Sequence, residues 1–192
     1  MIRNCLLAGT GGQGTILLSR LIAGAALAKG LEVRGTETIG MAQRGGSVVS
    51  HIRMGEAASA LIPPGTADLI IAFEVAEAVR ALPFLAPEGR MLALDRVIQP
   101  ASRLPAAYGA LEMLRYLEQG LARRFTVFNA QELAARCGSR RTVNTVLLGA
   151  ALAQRLLPFD PPDVQRLLED RLPKAYLELN LKALELGLRL EP

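Results

Sequence analysis

The stretch Gly9–Gly30, GTGGQGTILLSRLIAGAALAKG, opens with four glycines in six residues and runs straight into an apolar segment. Before it, Arg3 to Ala8 is a short apolar run stopped by glycine, the signature of a buried strand. After the turn, Ile16, Leu17, Leu18, Leu21, Ile22, Ala25 and Leu27 recur at helical spacing, which predicts a helix over Gln13–Lys29. LEVRGTE, Leu31–Glu37, then reads as a second strand and completes a strand–helix–strand unit. Gly9, Gly11 and Gly14 satisfy G-x-G-x-x-G in the context a dinucleotide fingerprint requires, with Glu37 near the end of the second strand, where a ribose-binding acid would stand. A second reading fits equally well: the glycines permit close approach of a loop or partner, and Gln13 supplies an amide hydrogen bond. The fingerprint alone does not separate the two.

The rest of the chain continues the alternation. SVVSHIRMG (Ser47–Gly55), ADLIIAFE (Ala67–Glu74), GRMLALD (Gly89–Asp95) and FTVFNA (Phe125–Ala130) read as strands. Helices are expected over Val75–Leu82 and Tyr108–Arg124, and after Asn129, whose capping-box partner would be Glu132. Gln99–Tyr108, the least regular segment, is expected to be a loop. Three helices close the chain: Thr142–Leu157, one capped by Asp160 with Pro161 in its first turn, and Lys174–Leu188. The expected fold class is therefore α/β, a Rossmann-like open, mostly parallel sheet with helices on both faces and a C-terminal helical cluster. Residues 1–192 are expected to form a single domain.

Bulk properties narrow the function classes. Hydrophobic residues make up 51% of the chain and mean hydropathy is +0.27, yet no apolar run approaches the roughly 20 residues that cross a bilayer. With no signal-like segment at its start, the chain is expected to be cytoplasmic and without a membrane partner. The net charge of +4 comes from scattered arginines, and aromatics are only 4% of residues, so nucleic-acid binding is not expected. Cys5 and Cys137 are far apart in sequence and form no metal or redox spacing, which reads as two buried thiols.

The second unusual feature is GMAQRGGSVVSHIRMG, Gly40–Gly55. Together with the glycine turn, with NTVLLGAAL (Asn144–Leu152), with Leu61–Leu85 and with LELNLKALELG (Leu177–Gly187), it resembles the small subunit of the 2-oxoacid:ferredoxin oxidoreductases, and within them the indolepyruvate type. The resemblance covers nearly the whole chain, although Thr10 and Ile39 stand where valine and histidine are more usual. It implies oxidative decarboxylation of a 2-oxoacid to acyl-CoA, with electrons passing to ferredoxin. Thiamine diphosphate, magnesium and iron–sulfur clusters would reside in a larger catalytic partner, since a four-iron cluster takes four thiolates and this chain has two cysteines. No catalytic or metal-binding residue is expected here. The resemblance implies a site for coenzyme A or for the partner subunit at Gly9, Gly11, Gly12, Gln13 and Gly14 with Gln43, Arg44, Gly45, Gly46 and Ser47. The same role in a pyruvate, 2-oxoglutarate or branched-chain enzyme, and a freestanding NAD(P)-binding oxidoreductase, are the alternatives.

Other polar residues invite plainer readings. His51, the only histidine, shares a strand face with Ser47, Val49 and Arg53 and is expected to be a hydrogen-bonded structural residue before a base. Glu74 and Asp95 end strands and read as cleft acids or as helix caps. Asn144, inside an apolar helix, is expected to anchor a loop, with the glycine turn as the candidate. Arg123, Arg124, Arg140 and Arg141 are expected to be solvated or to face a partner.

Overall fold

A computed structural model describes residues 2–39, 46–97 and 109–190. Six strands, β1 (Arg3–Thr10), β2 (Val33–Ile39), β3 (Ser47–Met54), β4 (Ala67–Ala72), β5 (Leu85–Leu94) and β6 (Phe125–Phe128), form one sheet in the order β2-β3-β1-β4-β5-β6. The pairs β1–β4, β4–β5 and β5–β6 are parallel, whereas β3 is antiparallel to both neighbours, β1 and β2. The expected parallel unit of β1 and β2 thus has a strand inserted into it. The two run in the same direction but are not adjacent, because the chain leaving β2 turns back as β3 into the place beside β1.

Seven α-helices accompany the strands among the described residues: α1 (Thr15–Ala28), α2 (Val75–Ala81), α3 (Ala110–Leu121), α4 (Ala130–Cys137), α5 (Val143–Ala153), α6 (Pro161–Arg171) and α7 (Lys174–Leu188). They cover both faces, as the alternation of buried side chains on β1 requires. Cys5 and Leu7 point into one core with Ile52, Leu69, Ile71 and Leu92, closed by α1 and α4–α7; Leu6 and Ala8 point into a second core with Ile70, Ala72 and Met91, closed by α2 and α3. Each fully buried Leu or Ile contributes roughly 1.5–3 kcal/mol. The C-terminal helices therefore share that core, with α7 packed on α5 and α6 on α1 and α7.

Two local features explain residues the sequence pattern leaves ambiguous. Gly149 of α5 and Gly187 of α7 face each other so closely that a Cβ on Gly149 would collide with the Leu184 carbonyl oxygen, and one on Gly187 with that of Val146. Beside this contact Thr145 donates to Asn180 Oδ1 at 2.7 Å. β5 begins four residues before the expected Gly89, at Leu85, because Ala67–Leu85 and Leu69–Arg90 pair across a bulge that absorbs Pro87. Gly89 sits where a Cβ would come within 2.5 Å of the Ala67 carbonyl oxygen. Half-buried Arg124, expected to be solvated or to face a partner, donates to the Ala86 carbonyl at 3.3 Å. The expected loop over Gln99–Tyr108 lies outside the described residues.

Candidate functional site

The connection after β1 packs over one face of the sheet through α1 and that after β4 over the other through α2, so the crevice at the C-terminal ends of these neighbouring strands is the topological switch point. Four segments meet there: the glycine turn after β1, the start of β3, Phe73–Glu74 after β4, and the start of α2. Phe73 N donates to the Ala8 carbonyl at 2.8 Å, which aligns the ends of β1 and β4.

The turn is built from within. Gln13 folds back so that its Oε1 accepts from Thr10 N at 2.7 Å, while Gln13 N donates to the Thr10 carbonyl at 3.2 Å. This is possible because Gly9 has no side chain: a Cβ there would lie 2.6 Å from that same Oε1. The other end of the amide, Nε2, is buried with no hydrogen-bond partner among the described residues. Gly12, at φ +91°, and Gly14, at φ +85°, take the left-handed conformation that glycine adopts without steric cost. Gly14 is also the N-cap of α1, and a Cβ there would come within 2.6 Å of Asn144 Nδ2. Asn144 thus packs beside the turn, while its Oδ1 accepts from Thr145 N at 2.9 Å within its own helix. Gly14 offers no capping side chain and α1 has no acidic residue in its first turn, so the helix start keeps its affinity for negative charge.

The second loop joins the first at its end. Gly11 N donates to the Gly46 carbonyl at 3.1 Å, and Ser47 pairs with Thr10 at the end of the β1–β3 ladder. Gly9, Gly11, Gly12, Gln13, Gly14, Gly46 and Ser47 are therefore brought together, while Gln43, Arg44 and Gly45 lie outside the described residues. The second segment enters β3, which runs antiparallel beside β1 and separates it from β2.

Glu37 does not join them. It sits on β2, one strand further from the turn than a ribose-binding acid on an adjacent strand, and its Oε1 accepts from Ser19 Oγ at 3.3 Å. This geometry departs from that of a dinucleotide fold. Glu74 is buried at the foot of α2. Asp95 is a helix anchor: its Oδ1 accepts from Ala130 N and its Oδ2 from Asn129 Nδ2, both at 2.8 Å, while Asn129 Oδ1 caps α4 through Glu132 N at 2.7 Å.

His51 is 5% exposed, accepts at Nδ1 from Ile62 N at 3.2 Å and meets Phe84 edge-to-face at 5.7 Å. Burial holds its pKa below the ordinary histidine value. Its Nδ1 is thus engaged as an acceptor within the fold.

One crevice residue carries no signal in the motifs. Glu77 of α2 is buried with its Oε2 accepting from Ser47 Oγ at 2.6 Å and its Oε1 from the Arg80 guanidinium. The only sequence hint is an acid one turn before Ala81, on a helix whose other inward residues, Val75 and Ala78, are apolar.

The residues present do not fit an iron–sulfur cluster. Cys5 and Cys137 are both buried; burial first, then the nearby Asp68 charge, pushes the Cys5 thiol far up, and Cys137 engages Thr142 Oγ1 at 3.3 Å. Among the described residues no group of three His, Cys, Asp or Glu side chains is arranged to hold a metal ion, and no helix is long and apolar enough to cross a membrane.

Residues 4–190 match the family model described as pyruvate ferredoxin/flavodoxin oxidoreductase. The chain is similar to proteins named indolepyruvate oxidoreductase subunit IorB. It is 39% identical to that of Methanothermobacter thermautotrophicus over 96% of this chain and 95% of the relative, and 35% identical to that of Thermococcus kodakarensis over 97% and 94%. Among solved structures, it resembles the keto/oxoacid ferredoxin oxidoreductase gamma subunit of Geobacter sulfurreducens, with a TM-score of 0.70, 23% identity and coverage of 97% and 96%. It also matches a 2-oxoglutarate:ferredoxin oxidoreductase of Magnetococcus marinus, with a TM-score of 0.68 and 20% identity, covering 97% of this chain and 30% of that one. At these identities the two structures speak to the fold.

Proposed function

The chain belongs to the pyruvate ferredoxin/flavodoxin oxidoreductase family, and from that premise we propose that it is the non-catalytic small subunit of a cytoplasmic 2-oxoacid:ferredoxin oxidoreductase of the indolepyruvate type. With a large subunit it would convert an arylpyruvate and coenzyme A to acyl-CoA and carbon dioxide, passing the electrons to ferredoxin. Thiamine diphosphate, magnesium and the iron–sulfur clusters are assigned to the large subunit, which supplies the carbanion and electron-transfer chemistry. The chain is taken to act as one domain.

The observation that supports this reading is the Gly11–Gly46 hydrogen bond, which ties the glycine turn to the end of a second segment about thirty residues on. We assign to that surface Gly9, Gly11, Gly12, Gln13, Gly14, Gln43, Arg44, Gly45, Gly46 and Ser47, as a site that seats coenzyme A or docks the large subunit. A phosphate suits the uncapped start of α1, and Arg44, two residues before Gly46 in sequence, is the arginine we assign to it. The displacement of Glu37 from the turn favours this over a freestanding NAD(P) enzyme.

Affinity purification from the native cell tests the proposal. A brown, thiamine-containing partner that reduces ferredoxin or a viologen with arylpyruvate and coenzyme A is the expected result. Preference for pyruvate, 2-oxoglutarate or a branched oxoacid would move the substrate assignment. Tight NAD(H) binding by the chain alone, with no such partner, would overturn the proposal.

A further inference from the structure

Glu77 stands out in the crevice because its charge is costly there. It is 1% exposed, and a carboxylate taken out of water loses its hydration. Its ion-pair partner Arg80, 63% exposed, offsets only part of that. An amide in its place could also turn its N–H to Ser47 Oγ and occupy the lone pairs, which a carboxylate cannot do.

An ionised carboxylate only accepts hydrogen bonds. Ser47 Oγ, at 2.6 Å, therefore commits its single proton to Glu77 Oε2 and can present only lone pairs to anything else. The serine is also pinned from the other side, through its pairing with Thr10 and through the Gly11–Gly46 hydrogen bond of its neighbour. Ser47 is half-buried rather than closed over. The crevice consequently has two unlike ends. The start of α1 attracts an anion, whereas Ser47, whose proton is committed to Glu77, presents lone pairs and favours an N–H donor.

We infer that Glu77 is a positioning residue that makes Ser47 an obligate hydrogen-bond acceptor for an amide N–H of the acyl acceptor, its pantetheine arm rather than its phosphates. This rests on the reading that the two loops seat coenzyme A. The prediction concerns the part of that molecule which Ser47 meets, and the residue that dictates it.

The test uses the reconstituted complex and two measurements: the KM for coenzyme A, and the inhibition constant of adenosine 3′,5′-bisphosphate, which carries phosphates but no amide. Ser47→Ala and Glu77→Gln should each raise the KM roughly three- to tenfold, the worth of one hydrogen bond, with kcat little changed and the inhibition constant unmoved. Ser47→Thr, which keeps the hydroxyl, should restore the KM, an outcome that loss of packing alone would not give. A parallel rise in the inhibition constant would place Ser47 against phosphate and overturn the inference while leaving the coenzyme A reading standing. An unchanged KM in an intact Ser47→Ala complex would overturn both.

Discussion

Asn144 Nδ2 lies 2.6 Å from the position that a Cβ on Gly14 would take, so the last glycine of the turn and the one asparagine of α5 fill one space between them. Gly14 is also held at φ +85°. Gly14→Ala combines a strained backbone with a clash against a buried side chain, and a loss of about 2–4 kcal/mol is expected. Urea unfolding of the full chain measures it, and a change below about 0.5 kcal/mol would mean that Asn144 does not pack against the turn.

The glycine pair between α5 and α7 predicts a larger effect with an internal control. Gly149→Ala drives a methyl into the backbone of α7 and should cost about 3 kcal/mol or more, since neither helix can yield without opening the core. Gly120→Ala, inside α3 with no atom within 4 Å of its Cβ, should stabilise by up to about 1 kcal/mol through helix propensity. Equal and opposite small shifts in Tm would contradict this reading of the α5–α7 contact.

These contacts mark what the sequence does and does not reveal. Among the described residues, the six strands and seven helices are each legible from periodicity and caps, apart from the start of β5, because each segment's local pattern agrees with its place in the fold. The insertion of β3 between β1 and β2 is not, since the hydrophobic pattern of a strand does not state which neighbour it takes. Gly9 and Gly14 are visible as glycines, but their reasons, room for the Gln13 amide and for Asn144, lie in residues that only the fold brings near. Glu77 is invisible because a surface acid and a buried one read alike until α2 is placed against Ser47. Asn144 is the exception, betrayed by being polar amid an apolar helix.

His51 predicts a pH dependence. Its folded-state pKa is depressed by burial, so the unfolded chain takes up a proton first as pH falls. Its contribution is complete above the unfolded value of about 6.5 and is lost as pH drops below it. Protonation at Nδ1 would also break the acceptor for Ile62 N. The urea midpoint should fall between pH 7 and pH 5, and His51→Gln should flatten the slope. A midpoint that rises on acidification would contradict the assignment.

Thiol chemistry checks the claim that this chain holds no cluster. Cys5 is fully buried with its thiol held protonated, and Cys137 is buried. In the native chain both should resist an aromatic disulfide reagent until urea unfolds it, and then react together. Rapid native labelling of either would show an accessible thiolate the fold does not provide.

The central claim is that this chain completes another subunit's site. Adding it back to the purified large subunit and following viologen reduction with arylpyruvate and coenzyme A tests that directly. The predicted result is turnover that depends on this chain, with a KM for coenzyme A that rises when Arg44→Ala replaces the native chain in an intact complex. Full turnover by the large subunit alone, with the same KM whether or not this chain is present, would contradict it.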